Sequence, residues 1–157
     1  MTTATQAFNA LRTVLTGAPA ILDAHGNTLP FRFQNEDGGS MPDVPAAFAY
    51  VIFDVQGAGQ GPVAFGGGRG ANLYRNQALL TVYVFVPAGE GLAVAADLAE
   101  QVAARTRSYR DTDVSCFAAS VHPYGHGSAL APPGMNSEVN SYYCAVAETV
   151  LHYDQIG

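Results

Sequence analysis

YRNQALLTVYVFVPAGEGLAVAADLAEQVAARTRSYR, from Tyr74 to Arg110, holds an apolar strand, a short Pro/Gly break and an amphipathic helix, in that order. Ala78 to Val86 is rich in β-branched and aromatic residues, with Leu80, Val82, Val84 and Val86 on one face and Leu79, Thr81, Tyr83 and Phe85 on the other. A strand coated on both sides reads as an interior one. Pro87 ends it, because proline cannot donate to the ladder, and Gly89-Glu90-Gly91 permits a sharp turn. From Leu92 the period becomes helical: Leu92, Ala95, Ala99, Val102 and Thr106 form one stripe, widened by Val94 and Leu98. Asp97 and Glu100 lie toward the start and Arg105, Arg107 and Arg110 toward the end, the charge order that the helix dipole favours. A helix following a strand in this way folds back over one face of the sheet. Each fully buried Leu or Val there contributes about 1.5–3 kcal/mol, so this unit is able to nucleate a core.

The 157 residues fit one domain. A hydrophobic fraction of 48% beside a charged fraction of 13% leaves a surface so short of charge that cover by other subunits is expected. Thirteen acids face seven basic residues, all arginine, for a net charge of −6. That balance argues against a binder of nucleic-acid grooves, which needs a basic stripe. It does not argue against DNA sliding past the protein, since an acidic surface repels the phosphate backbone and keeps it from sticking. Cys116 and Cys144 are far apart in sequence and read as buried, reduced thiols. No basic region followed by an apolar run marks a secretion signal, and Ala78 to Val86 is far short of the ~20 residues that cross a bilayer. A soluble protein made in a cytoplasm, with no membrane partner, is expected.

Outward from the centre, Thr3 with Gln6 predicts a capping box, and Ala4, Phe8, Leu11 and Leu15 a helical stripe that stops at Gly17 and Pro19. Pro19, Gly26-Asn27 and Pro30 punctuate a connection with a short piece of helix or strand around Ile21-Leu22. Phe31 to Gln34 reads as a short strand, and Asn35 to Pro45 as an exposed loop. Ala47 to Val55 is a second good strand. Gln56 to Leu73 holds seven glycines between two strong strands, which predicts a long, flexible hairpin arm joining antiparallel neighbours. Beyond the helix, Asp111-Thr112-Asp113 makes a turn, Val114 to His122 a strand, Pro123 to Val139 a second long loop and Asn140 to Tyr153 a strand. That last strand exceeds the usual ~5–6 residues, so its end is expected to project beyond the sheet. The fold class is α+β: a mixed, mainly antiparallel sheet of about four strands with a hairpin arm, packed against two helices.

The chemistry-bearing candidates are thin. Gly66-Gly67-Gly68-Arg69-Gly70 lacks the Lys-Ser/Thr ending of a phosphate loop and leads into a strand where that motif needs a helix. His122 and His126 have no Cys or carboxylate completing a metal site. No Gly-x-Ser-x-Gly elbow exists, and Ser115, Ser120 and Ser128 have no evident base beside them. Asp111 and Asp113 sit where aspartates serve a turn, and Tyr142, Tyr143 and Tyr153 read as core and interface packing. No catalytic, cofactor-binding or metal-binding residue is assigned, and no cofactor is expected. The long glycine-rich loops are left for contacts with other proteins.

Tyr74-Arg75 leading into LLTVYVFVP, the turn Val86-Pro87-Ala88-Gly89-Glu90-Gly91, and a helix carrying Asp97-Leu98-Ala99-Glu100 together resemble the tail terminator-like proteins of long-tailed bacteriophages and of phage-derived particles such as gene transfer agents. In that family the same region has an arginine before a strand, a "V-P-x-G-x-G" turn and a helix with an "L-A-D/E" core. Pro30 to Asn35 and the closing strand from Tyr142 to Tyr153 are weaker echoes. The resemblance covers most of the chain in layout and about a quarter of it in diagnostic residues. It implies a non-enzymatic virion protein of the tail's neck, assembled in a bacterial host's cytoplasm. Such a protein forms a homo-hexameric ring that caps the tail tube, stops its elongation and gives a head-completion or connector protein its joining surface while DNA passes through the lumen. Other readings are another neck component or, from a different class, a small ligand-binding or enzymatic domain. A cyclic ring needs heterologous contacts between different patches. The arm Gly57–Gly70, the loop Pro123–Val139 and the second face of the central strand offer them, with Phe65, Arg69, Tyr74, Arg75, Tyr83, Phe85, Tyr124 and Met135 as candidate contacts between subunits or with the tail-tube protein.

Overall fold

Among the described residues, two helices and six strands follow one another as α1 (Ala4–Thr16), β1 (Phe31–Phe33), β2 (Phe48–Gln56), β3 (Pro62–Ala64), β4 (Leu73–Pro87), α2 (Leu92–Thr106), β5 (Ser115–His126) and β6 (Tyr142–Ile156). The structure is a computed structural model and describes residues 2–34, 36, 46–56, 62–64, 70–126 and 142–156. Five strands lie side by side in the order β1-β2-β4-β6-β5, and β3 adds to β4 off that path. β1 is parallel to β2, and every other pairing is antiparallel. The α+β class and the mixed, mainly antiparallel sheet are as the sequence predicts. The strand count is five in the main path where about four were expected, and β1 falls on the short strand read at Phe31 to Gln34.

α1 starts on the predicted box: Gln6 N–H donates to Thr3 Oγ1 at 3.2 Å, and Thr3 N–H donates to Gln6 Oε1 at 2.8 Å. Its inner stripe is Ala7, Leu11 and Leu15, with Phe8 meeting Phe33 edge-on at 5.6 Å and Phe53 at 5.9 Å. The helix ends at Gly17, where a Cβ would lie 2.8 Å from the Thr13 carbonyl oxygen, so close backbone approach excludes a side chain. No basic residue occupies the last turn of α1. Arg105 of α2 supplies one instead. Its Nη1 donates to the carbonyls of Leu15 at 2.7 Å, Gly17 at 2.9 Å and Val14 at 3.3 Å, and its Nη2 donates to that of Pro19. These are the orphan acceptors that every helix leaves at its C-terminus.

α2 packs on β4, β5 and β6 through Ala95, Leu98, Ala99, Val102, Ala103 and Thr106. Two expectations change here. Leu92, placed on the stripe by periodicity, is 38% exposed, because the first turn starts before the helix has settled on the sheet. No acid stands in the first turn, and Gly91 at the N-cap has φ +93 with no side-chain cap, so Asp97 and Glu100 lie too far along for the dipole to count. The buried face of the sheet is Ala49 and Val51 of β2, Leu80, Val82, Val84 and Val86 of β4, and Ala145, Ala147 and Leu151 of β6. Within it Thr106 and Thr149 join hydroxyls at 2.6 Å, so each buried oxygen has a partner.

The opposite face is not bare. Phe48, Tyr50, Phe85, Tyr142, Cys144 and Val146 form a second buried cluster, with Phe48 stacked on Phe85 at 4.9 Å and Arg32 over the Phe48 ring at 5.1 Å. The expectation of a spare apolar face on the central strand is corrected at this end: the chain itself already covers those side chains.

β4 and β6 pair over their full fifteen residues, from Leu73 opposite Ile156 to Pro87 opposite Tyr142. β2 accompanies β4 only from Gln77 to Phe85, and β5 meets β6 only as far as Ser115 opposite His152. Leu73–Asn76 and Tyr153–Ile156 therefore run on as a two-stranded ribbon for about 13 Å. The long final strand does project, but together with its partner. β3 extends the ribbon by pairing with Leu73 and Tyr74, so three residues of the expected free arm belong to the sheet. The rest of the arm, Gly57–Gly61 and Phe65–Arg69, lies outside the described residues, as does the loop from Gly127 to Ser141.

Candidate functional site

The ribbon is polar where the sheet is apolar. In Leu73–Gln77 opposite His152–Ile156, a tyrosine, an arginine, an asparagine and a glutamine face a histidine, a tyrosine, an aspartate and a glutamine. Register places Arg75 opposite Asp154, and the two form a bidentate pair, Nε to Oδ1 and Nη2 to Oδ2, each at 2.8 Å. Beside them a cleft of about 320 Å³ separates the ribbon from the turn Arg110–Val114, with Ser115, Phe117 and His152 at its inner end. The Phe117 ring lies 4.7 Å from that of His152 and is 45% exposed.

Asp111 holds the turn. Burial works against its charge, but the Tyr109 hydroxyl and the N–H groups of Val114 and Asp113, each donating at 2.7 Å, outweigh it and keep the carboxyl below its ordinary value. Tyr109 is pushed up to about 12, by burial first and then by Asp111. Asp113 accepts from Thr2 Oγ1 at 2.9 Å, which ties the chain's start to the turn. Asp154 is held below the usual carboxylate range by its hydrogen bonds from Arg75. A carboxyl whose pKa falls on folding contributes stability above its unfolded value, near 3.8, and loses it as pH drops through the lower folded value. The urea midpoint should therefore fall steeply only below about pH 4. Asp111→Asn and Asp154→Asn should each flatten that fall.

Nucleophile chemistry has two places to be tested. On β5, Ser120 and His122 share a face, and His122 Nε2 lies 3.1 Å from Ser120 Oγ, so Ser120 does have a base beside it, contrary to the sequence reading. Period two along a strand brings residues i and i+2 together. Glu148 Oε2 approaches the same nitrogen at 3.8 Å. In a working triad the acid holds the nitrogen remote from the nucleophile, whereas Glu148 approaches the one that faces Ser120. The thiols are both free and buried, Cys116 pushed up to about 11 by burial and then Asp111, and Cys144 up to about 12 by burial, so neither is a thiolate at neutral pH. Among the described residues no group of three or more His, Cys, Asp or Glu is placed to hold a metal ion.

The candidate contact residues divide between the two ends of β4. Tyr74, half-buried, and Arg75, exposed, open the ribbon. Tyr83 and Phe85 stand at the other end, about 30 Å away, with rings stacked at 6.4 Å. Phe85 is fully buried and has no surface to offer a partner; it is a core residue. Tyr124 falls within β5, while Phe65, Arg69 and Met135 lie outside the described residues. Asp154 and Arg110 were missed: the sequence signal for Asp154 lies in a register that only the folded sheet defines. No protein-family model and no curated protein matches the chain. Among the described residues no helix is long and apolar enough to cross a membrane.

Proposed function

We propose that this chain is a structural subunit of a long-tailed phage or phage-derived particle, a tail terminator that closes the tail tube as a hexameric ring. The observation that carries the reading is the polar β4–β6 ribbon, which extends past the body of the sheet with its β6 backbone edge, Tyr153–Ile156, free of described strands. An unpaired edge recruits another chain, and in the ring each subunit offers one flank to the next. The tail-tube protein and a head-completion or connector protein are the further partners, the acidic chain lets DNA pass without holding it, and the subunit works by binding rather than by turnover. Its place is the neck of the virion tail, after assembly in the cytoplasm of a bacterial host.

The test is tube termination. Added to a polymerising tube protein, the purified chain should shorten the tubes in proportion to its concentration and remain at one end. Tubes of unchanged length would sink the proposal. Binding to filled heads with no effect on tubes would make the chain a connector instead. The polar cleft beside Arg75 and Arg110 favours a second reading, a small-ligand domain. That reading expects a polar metabolite to raise the thermal midpoint, and a Phe117→Ala variant to lose the effect.

A further inference from the structure

Besides the outer side of β5 and the stretch of β2 beyond β1, the sheet has two short lengths of edge without a described neighbour, on opposite flanks. One is the end of β6: past the last β5 pair, Tyr153–Ile156 is bonded to β4 alone. The other is β1. Ala49 N–H donates to the Pro30 carbonyl at 2.9 Å and Gln34 N–H donates to the Val51 carbonyl at 3.2 Å, so the even positions turn toward β2. In a parallel ladder this directs the backbone groups of Phe31 and Phe33 away from β2. The three residues on one flank fit within the four on the other. They match in direction too: β1 runs with β2, and β2 and β6 both run against β4.

Charge completes the match. The cleft along the end of β6 carries three carboxylates, Asp111, Asp113 and Asp154, against the guanidiniums of Arg75 and Arg110. β1 carries Arg32, whose Nη1 is buried and has no hydrogen-bond partner among the described residues. Arg32 pairs with Tyr50 and lies over Phe48, and Asp154 is opposite Arg75. Alternation along β2, β4 and β6 puts Arg32 and Asp154 on the same side of the sheet.

We propose that, in the ring, the outer edge of β1 of one copy pairs in parallel with Tyr153–Ile156 of the next, Arg32 of the first meeting Asp154 of the second at the mouth of the cleft. The contact is heterologous and repeats around a closed ring. β1 of the incoming copy lies in line with β5 of its host, and the resulting offset along the strands is taken up by strand tilt, as shear is in a barrel. This inference rests on the ring reading and specifies its joint.

Sedimentation velocity of the full chain tests it, with wild type, Arg32→Glu, Asp154→Arg and the double variant compared after circular dichroism has shown each to be folded. Either single reversal should weaken assembly by about tenfold or more, because like charges then face each other across the joint. The double reversal should restore most of it. If Arg32→Glu does not fold, an Arg32→Cys, Asp154→Cys chain takes its place: oxidised, it should give a ladder of covalent species ending at the closed ring. Single variants that assemble like wild type, a double variant no better than the singles, or an absent ladder would overturn the joint and leave the ring standing. A wild type that does not assemble, alone or on tubes, would overturn both.

Discussion

Phe85→Ala is expected to lower the stability of the isolated chain by about 3–5 kcal/mol, although the ring stands on the face of the sheet that neither helix covers. Phe85 is fully buried. Its ring stacks on Phe48 and Tyr83 and meets Tyr142 edge-on at 6.4 Å. Truncation removes the transfer free energy of the ring and leaves a cavity, since Phe48 and Tyr142 are held by the same strands and move little. For a domain of this size the thermal midpoint should fall by roughly 6–20 °C. Tyr83→Ala, at a half-buried position, should cost about 1–2 kcal/mol. A face kept bare for partners predicts the reverse, with Phe85→Ala near neutral in the free chain, and urea unfolding separates the two.

Arg105→Ala is the second large effect, about 2–4 kcal/mol. Arg105 is a residue of α2 that serves α1: one guanidinium accounts for the carbonyls of Val14, Leu15, Gly17 and Pro19. Without it the carbonyls at the end of α1 lose a charged donor in partly buried surroundings, and the contact between the two helices loses its polar clasp. Arg105→Lys should recover less than half of the loss. An ammonium is a single point of charge and cannot reach across four acceptors as the planar fork does. Thermal unfolding of the two variants measures both numbers. Equal stability of Arg105→Lys and wild type would show that charge alone matters there.

The parts of the fold legible in the sequence were those where periodicity and punctuation agree. Alternation with Pro87 and two glycines marked the centre of β4 and the start of α2, and Thr3 with Gln6 marked the start of α1. β4 begins five residues earlier than its apolar run because Tyr74, Arg75, Asn76 and Gln77 carry no alternation; they are strand only because an equally polar stretch of β6 lies opposite. β5 continues through Pro123 and Gly125, which read as a loop, because an edge strand absorbs both at a bulge. Ser120 and His122 both lie inside the strand read from Val114 to His122, so period two along it already puts them on one face. The parallel sense of β1 depends on a return path the sequence does not spell out. The candidate site shows the same division: Tyr74 and Arg75 stood out beside the apolar run, whereas Asp154 and Arg110 gain meaning from register and from a turn held by Asp111. Phe85 was misplaced on the surface because periodicity assigns a face and is silent about what covers it.

The most direct measurement of the central claim is the molar mass in solution across a wide concentration range, by light scattering on the intact chain. Subunits of 16.4 kDa closing into a six-membered ring predict a discrete species near 100 kDa, which becomes dominant as concentration rises or tube protein is supplied. A single 16.4 kDa species throughout, unchanged in the presence of tubes, would contradict it.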